Sequence, residues 1–402
     1  MKSPLWTKDY ILLGLTNLLI FASFYFLMPT LPLYVVQELN GKESLVGLIT
    51  GVFTVSSIIV RPWSGQLLDV LGRRKMMLVS LILFSLVTVG YIGTSTIMFL
   101  LLIRFLHGAV FGVATTASGT VAADIIPESR RGEGMGYFGI FTIMAMIVGP
   151  ALGLMIIQQW SYSTMFVTCV GLAILSTIVA AFIKYPEVKN KKRSDLHLSI
   201  RYWKEMIELR ALPFSITFLS LSVVSGGIVS FVSLYATEVG NADLAGGYFF
   251  VYAIGLVAAW FSAGRIYDRF GPNLVVYPGL ILNATGLVFL VLASGAPLFY
   301  TAAILIGLGF GSIQPSVQAM VINAVSENRR GAATATFYMA LDIGIGAGSF
   351  FLGLVAQWIG YRGMFLSCLL FIATSALLYK WAQGVEIGRI KENRKTINSP
   401  NE

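Results

Sequence analysis

Apolar residues in this 402-residue chain fall in long, nearly unbroken stretches rather than in the alternating or one-in-three-or-four patterns of half-buried strands and helices. Twelve stretches reach the ~20 residues that an α-helix needs to cross a bilayer. They are 11–36, 45–68, 76–94, 97–122, 134–157, 163–183, 211–236, 244–267, 274–294, 297–321, 332–357 and 360–383. Short polar groups separate them, among them Arg73-Arg74-Lys75, Arg130-Arg131 and Arg329-Arg330. The pattern predicts an all-α integral membrane protein of twelve transmembrane helices. The first stretch is too long for a signal-peptide core and lacks a small-residue cleavage pattern, so it reads as a retained helix.

The chain also repeats itself. At an offset of 199, Gly65, Asp69 and Gly72 meet Gly264, Asp268 and Gly271. Gly108 and Gly112 meet Gly307 and Gly311, and Arg130-Arg131-Gly132 meets Arg329-Arg330-Gly331. Gly149 meets Gly348, and Tyr162, Met165, Phe166 and Cys169 meet Tyr361, Met364, Phe365 and Cys368. Six spans per repeat is an even number, so both halves enter the membrane with the same orientation. The expected organisation is a six-helix bundle over 1–183, a linker over 184–210, a second bundle over 211–383 and a polar tail over 384–402. The linker begins Lys-rich and continues as an amphipathic helix from Ser194, with Leu196, Ile200, Trp203 and Ile207 on one face. That helix suits the inner leaflet. The tail reads as disordered.

Composition sharpens this reading. Hydrophobic residues make up 56% of the chain, charged residues 12%, and the mean hydropathy is +0.79. So little charge does not cover a water-soluble fold of this length. The net charge of +9 would suit nucleic acid, but its distribution argues for lipid instead. With the N-terminus placed in the cytoplasm, 24 of the 28 Lys and Arg residues fall on the cytoplasmic side. Lys42 and Arg362 fall outside, and Arg61 and Arg104 lie within helices. By the positive-inside rule both termini are cytoplasmic. Cys169 and Cys368 sit in apolar stretches without metal-ligand spacing and read as packing residues. No nucleophile triad, metal cluster or nucleotide loop is visible, so enzymatic function and a bound cofactor are not expected.

The loop after the second stretch reads Gly65-Gln-Leu-Leu-Asp69-Val-Leu-Gly72-Arg73-Arg74-Lys75. It resembles the signature loop of the major facilitator superfamily, with a weaker copy from Gly264 through Asp268 and Arg269 to Gly271. Gly65 would let two helices approach closely, and Asp69 would cap a helix N-terminus. Asp124, at the end of the fourth helix, is the candidate partner of Arg73. The resemblance implies that these contacts hold the cytoplasmic side shut in the outward-facing state.

Arg104-Phe-Leu-His107-Gly108 on the fourth helix looks like the family's Arg-x-x-Gln-Gly motif of proton-coupled members, with His107 where Gln is usual. A buried Arg is costly and needs a cavity or partner. Gly149-Pro150-Ala-Leu-Gly153 on the fifth helix resembles the motif of antiporters in the superfamily, although Leu154 stands where another glycine belongs. Pro29-Thr-Leu-Pro32 resembles the double-proline pattern of twelve-helix drug–proton antiporters.

Asp342 is the only acid deep in a span, roughly ten residues or ~15 Å into the eleventh helix, at the bilayer midplane. An ionisable group there can carry a proton across, and Arg104 and His107 are expected to tune it. Arg61 either meets an internal acid or a substrate carboxylate, or snorkels to the inner interface. Asn17, Tyr25, Tyr34, Gln314 and Gln318 are the remaining cavity candidates, on helices that line the central cavity in this fold; Gln314 and Gln318 stand one turn apart.

The resemblance implies a monomeric cell-membrane exporter that exchanges protons for a drug-like compound or metabolite by alternating access. Its energy source is the proton gradient and its partners are the solute, protons and lipid. The rival readings are a proton-coupled importer, a passive facilitator of a sugar or other metabolite, and a non-transporting membrane sensor.

Overall fold

The computed structural model describes residues 4–40, 44–186, 207–239 and 244–398. The first half runs α1 Lys8–Gln37, α2 Ser44–Leu71, α3 Arg73–Val89, α4 Ile97–Ile125, α5 Arg131–Gln159 and α6 Tyr162–Ala181. The second runs α7 Leu212–Glu238, α8 Ala245–Phe270, α9 Asn273–Leu292 and α10 Ala296–Asn323. A final helical segment, Arg330–Asn398, breaks at Gly360, whose φ of 71° and ψ of 170° divide it into α11 over 330–359 and α12 over 361–398. Twelve long helices therefore stand among the described residues. Helix starts are fixed by side-chain caps where the sequence supplies them. Thr7, Thr96 and Ser161 accept the N–H groups of Tyr10, Phe99 and Thr164.

Among the described residues ten helical segments are long and apolar enough to cross a membrane, namely α1, α3 to α10 and the unbroken 327–386 run. Their outward faces carry bare large apolar side chains, including Leu86, Phe182, Ile281, Leu370 and Leu377. Only hydrocarbon is a good solvent for that surface. Within each half the glycines let helices touch. A Cβ on Gly108 would lie 2.2 Å from the Phe53 carbonyl oxygen, and one on its repeat mate Gly307 2.2 Å from that of Tyr252. Cys169 and Cys368 are free and buried.

The start of α1 and the end of α12 lie at the end of the bundle where the basic turns gather. The Tyr10 hydroxyl donates to the carbonyl of Gly134, and Tyr379 donates to Asn273. Past Gly384 the chain is helical to Asn398 instead of disordered. Of the expected linker helix, Ser194, Leu196, Ile200 and Trp203 lie outside the described residues.

Candidate functional site

The two halves meet along α2–α11 and α5–α8, with α4–α11 and α5–α10 beside them. Hydrogen bonds and ion pairs across this seam fall in two layers. The first is at the basic end. Gly72 and Gly271 hold φ values of 91° and 86° and turn α2 into α3 and α8 into α9. That backbone region is costly for any residue with a Cβ. The turn leaves the aspartate three residues earlier facing the other half. Asp69 accepts the N–H groups of Gly331 and Ala332, at 2.9 and 3.0 Å, in the first turn of α11. Asp268 accepts those of Gly132 and Glu133, at 2.9 and 3.0 Å, in the first turn of α5. A helix start offers unpaired N–H groups and the positive end of its dipole, so a carboxylate is well placed there. The repeat offset makes these one contact formed twice, with the halves exchanged. Glycine permits the approach. A Cβ on Gly65 would lie 2.7 Å from the Gly331 carbonyl oxygen, and one on Gly264 2.4 Å from that of Gly132.

Charges around the two caps differ. Arg73 is buried and donates to Asp69, to Asp124 and to the Glu327 carbonyl, each at 2.8 Å. Arg330 reaches Asp124 at 2.9 Å from the other half. At the second cap Pro272 stands in the place of Arg73, and Asn323 in the place of Asp124. Arg131 bonds to Asn323 there, and Glu133 holds Arg130 at 2.7 Å and Arg265 at 3.0 Å. The charges of the α2–α11 latch are the more deeply buried: Arg73 and Asp124 are 1% exposed, whereas Arg130 and Arg265 of the α5–α8 latch are 20% and 64% exposed. Arg269 lies outside both, exposed and 5.1 Å from its neighbour's ring at Phe270. Its sequence-derived place belongs to Arg265, one turn earlier, which faces α5.

The second layer lies ~18 Å deeper, twelve residues into α11 at 1.5 Å per residue. Arg61 of α2 donates from Nε to Asp342 Oδ2 at 2.8 Å. Its Nη1 donates to Thr115 and Thr116 of α4 at 3.3 and 3.2 Å, and its guanidinium lies 5.0 Å from the Tyr338 ring centre. Ser57 places its hydroxyl 3.5 Å from the same Asp342 oxygen, and Gln318 donates to the Tyr338 hydroxyl at 3.3 Å. Arg61 is buried, while the Asp342 side chain is 20% exposed. One turn beyond, on the same face of α11, a Cβ on Gly346 would meet no atom of another element within 4 Å. The seam that is closed at the basic end is therefore open on the far side of the pair. Arg61 does not snorkel: it meets the internal acid.

Arg104 and His107 are not part of this group. They sit on α4 nearer the opposite end, Arg104 being eleven residues or ~16 Å from Thr115. Arg104 lies 4.4 Å from the Phe53 ring centre and donates to the Ile49 carbonyl at 3.4 Å. His107 is fully buried, with Nδ1 2.9 Å from the Tyr91 hydroxyl and Phe53 and Phe84 against its ring. Both lie within the first half. Asn17 is also internal, donating to Thr142 and accepting from Ser118, and so ties α1 to α5 and α4. Tyr34 donates to the Thr94 carbonyl and packs on Tyr162 and Phe166, away from the pair. Gly149 and Gly153 meet α1: a Cβ on either would lie 2.7 Å from Tyr25 Cβ or 2.8 Å from the Phe26 carbonyl oxygen. Pro150 lies inside α5 without ending it. Tyr25 stacks on Phe21 and meets Phe24 edge-on within α1. Gln314 is half-buried one turn from Gln318. Tyr338, Thr115, Thr116, Arg265 and Arg330 were missed as site residues. The repeated Arg-Arg-Gly triplet was a signal for Arg330; the others carry none in a single sequence. No group of three metal-ligating side chains occurs among the described residues.

The sequence model of the Major Facilitator Superfamily matches residues 13–263 and 236–400. The staphylopine export protein of Staphylococcus aureus is 23% identical over 83% of this chain and 85% of its own. The PmrA homolog of Lactococcus lactis, a multi-drug resistance efflux pump, is 24% identical over 94% and 95%. Multidrug resistance protein MdtG of Escherichia fergusonii is 25% identical over 94% of each. Among solved structures, the human organic anion transporter MFSD10 (TETRAN) superposes with a TM-score of 0.81 at 18% identity, over 92% of this chain and 98% of that one. FucP in its outward conformation gives 0.77 at 16%, over 94% and 99%.

Proposed function

This chain belongs to the Major Facilitator Superfamily of multi-pass membrane transporters, and on that premise we propose that it exports a small organic solute in exchange for protons. The observation that carries the proposal is the Arg61–Asp342 pair, which joins the two halves at the midplane directly above the latched basic end. With that end cytoplasmic, in line with the positive-inside rule, the conformation is outward-facing and both termini lie on the cytoplasmic side of the cell membrane.

The cycle follows from the pair. A proton arriving from outside neutralises Asp342 and removes its charge-assisted bond to Arg61. What then holds α2 to α11 is the latch alone, so the cytoplasmic side opens more readily. Solute from the cytoplasm displaces the proton, spans the seam and closes it again. Asp69, Asp268, Arg73, Asp124 and their partners set how tightly the cytoplasmic side shuts. The export-named relatives support the outward direction. The working unit is one chain.

The test is substrate-driven proton movement into proteoliposomes carrying a trapped pH dye, for the wild type and Asp342→Asn, against a panel of drug-like and metabolite compounds. Solute movement that shifts internal pH in the wild type and not in the variant supports antiport. Movement of a solute by both proteins with no pH change overturns it in favour of a facilitator.

A further inference from the structure

The Arg61–Asp342 pair also constrains the charge of the solute, given the exporter reading above. The two members sit on different halves, Arg61 on α2 and Asp342 on α11. Among the described residues, Arg61 has neutral side-chain hydrogen-bonding partners in its own half, Thr115 and Thr116. Asp342 has, among the described residues, a partial contact with Ser57 besides, also from the opposite half. Any motion that parts α2 from α11 therefore leaves a cation on one wall and an anion on the other, in a medium where neither is cheap unpaired. The salt-bridged residue that faces the open side is Asp342, while Arg61 is covered by the Tyr338 ring.

We infer that the solute is a zwitterion whose anionic group takes Asp342's place on Arg61 and whose cationic group takes Arg61's place on Asp342. Such a molecule replaces both halves of the pair at once and bridges the seam, so its binding closes the site around it. Its cation and the proton compete for the same carboxylate, which is the condition for exchange. The other charge classes each fail one requirement. A plain cation at Asp342 puts a second positive charge beside Arg61. A plain anion on Arg61 releases Asp342 to take up a proton, so anion and proton bind together instead of competing. A neutral sugar leaves the pair intact and gives the proton nothing to displace. The Tyr338 ring beside Arg61 suits an apolar or flat body between the charges.

The experiment uses purified full-length protein in nanodiscs and measures binding of Nε-dansyl-lysine, phenylalanyl-phenylalanine and the zwitterionic quinolone ciprofloxacin. Each is compared with its carboxyl ester, a cation, and its N-acetyl derivative, an anion. At least one zwitterion is expected to bind tenfold or more tighter than both of its derivatives. Asp342→Asn is expected to reverse that order toward the N-acetyl form, and Arg61→Gln toward the ester, a crossed pattern that general misfolding does not produce. If no zwitterion binds, or if ester or N-acetyl forms bind the wild type as well as the parent, the inference is overturned. Proteoliposome pH measurements on the same compounds separate this from the exporter reading. Proton exchange driven by esters alone keeps the exporter and removes the zwitterion; zwitterion uptake without proton movement does the reverse.

Discussion

Asp69 and Asp268 stand 199 residues apart and perform the same act from opposite halves, each closing its carboxylate over two backbone N–H groups at the start of the partner half's helix. What surrounds them differs. Asp69 shares buried Arg73 with Asp124, which in turn holds Arg330, whereas the arginines of the second latch, Arg130 and Arg265, are more exposed to solvent.

Unequal surroundings predict unequal mutants. Asp69→Asn removes the charge that balances Arg73 at the centre of the buried network, and a lost charge-assisted bond costs ~1.5–3 kcal/mol. That corresponds to roughly a ten- to hundredfold shift of the two-state equilibrium toward an open basic end. Asp268→Asn is expected to shift it less. Alkylation rates of a cysteine introduced within the closed seam compare the two directly.

Asn323 occupies the repeat position of Asp124 and bonds to Arg131. Asn323→Asp supplies the missing charge to a buried guanidinium and strengthens the second latch by ~1 kcal/mol. Transport turnover is expected to fall severalfold while the outward-facing population rises. Unchanged turnover would mean that opening is not limited at this latch.

Close approach at the seam depends on glycine. Gly65→Ala places a Cβ 2.7 Å from the Gly331 carbonyl oxygen, and overpacking of that kind costs ~1–3 kcal/mol. The variant is expected to lose closure at the basic end while folding normally. Gly51→Ala, on the same helix with nothing within 4 Å, is the control and keeps closure.

Arg104 and His107 lie one helix-half away from Asp342, so their removal is expected to act differently from removal of Arg61. His107→Gln keeps a hydrogen-bonding partner for Tyr91 and retains proton movement within about threefold. Arg61→Gln leaves Asp342 without its cation and loses proton movement almost completely. Parallel pH-dye traces of the two variants check this.

Much of this architecture was legible because lipid imposes a simple rule: each crossing needs about twenty apolar residues, so the stretches count themselves. The 199-residue echo of Asp69 in Asp268 revealed the two-fold plan, and Asp342 stood out as the one deep acid. Its partner did not. Arg61 and Arg104 are both arginines inside apolar helices, and only the rotation of each helix decides which one faces the other half. Arg61 lies 281 residues from Asp342, and no local spacing encodes that meeting. The family resemblance pointed to Arg104; the geometry places it against Phe53 inside its own bundle. Arg265 and Arg269 likewise stand one turn apart in the sequence, and only the structure shows that Arg265 reaches Glu133 of α5 while Arg269 is exposed beside Phe270.

The central claim is that the charge on Asp342 helps hold the basic end shut. Arg74 and Asn328 are exposed at that end on opposite halves, and both native cysteines are buried. Spin labels at Arg74→Cys and Asn328→Cys therefore report the gap between the halves in nanodiscs. In Asp342→Asn the account predicts a distance distribution moved to longer values, with the open form becoming the larger share. A distribution identical to that of the unaltered Asp342 background would contradict it.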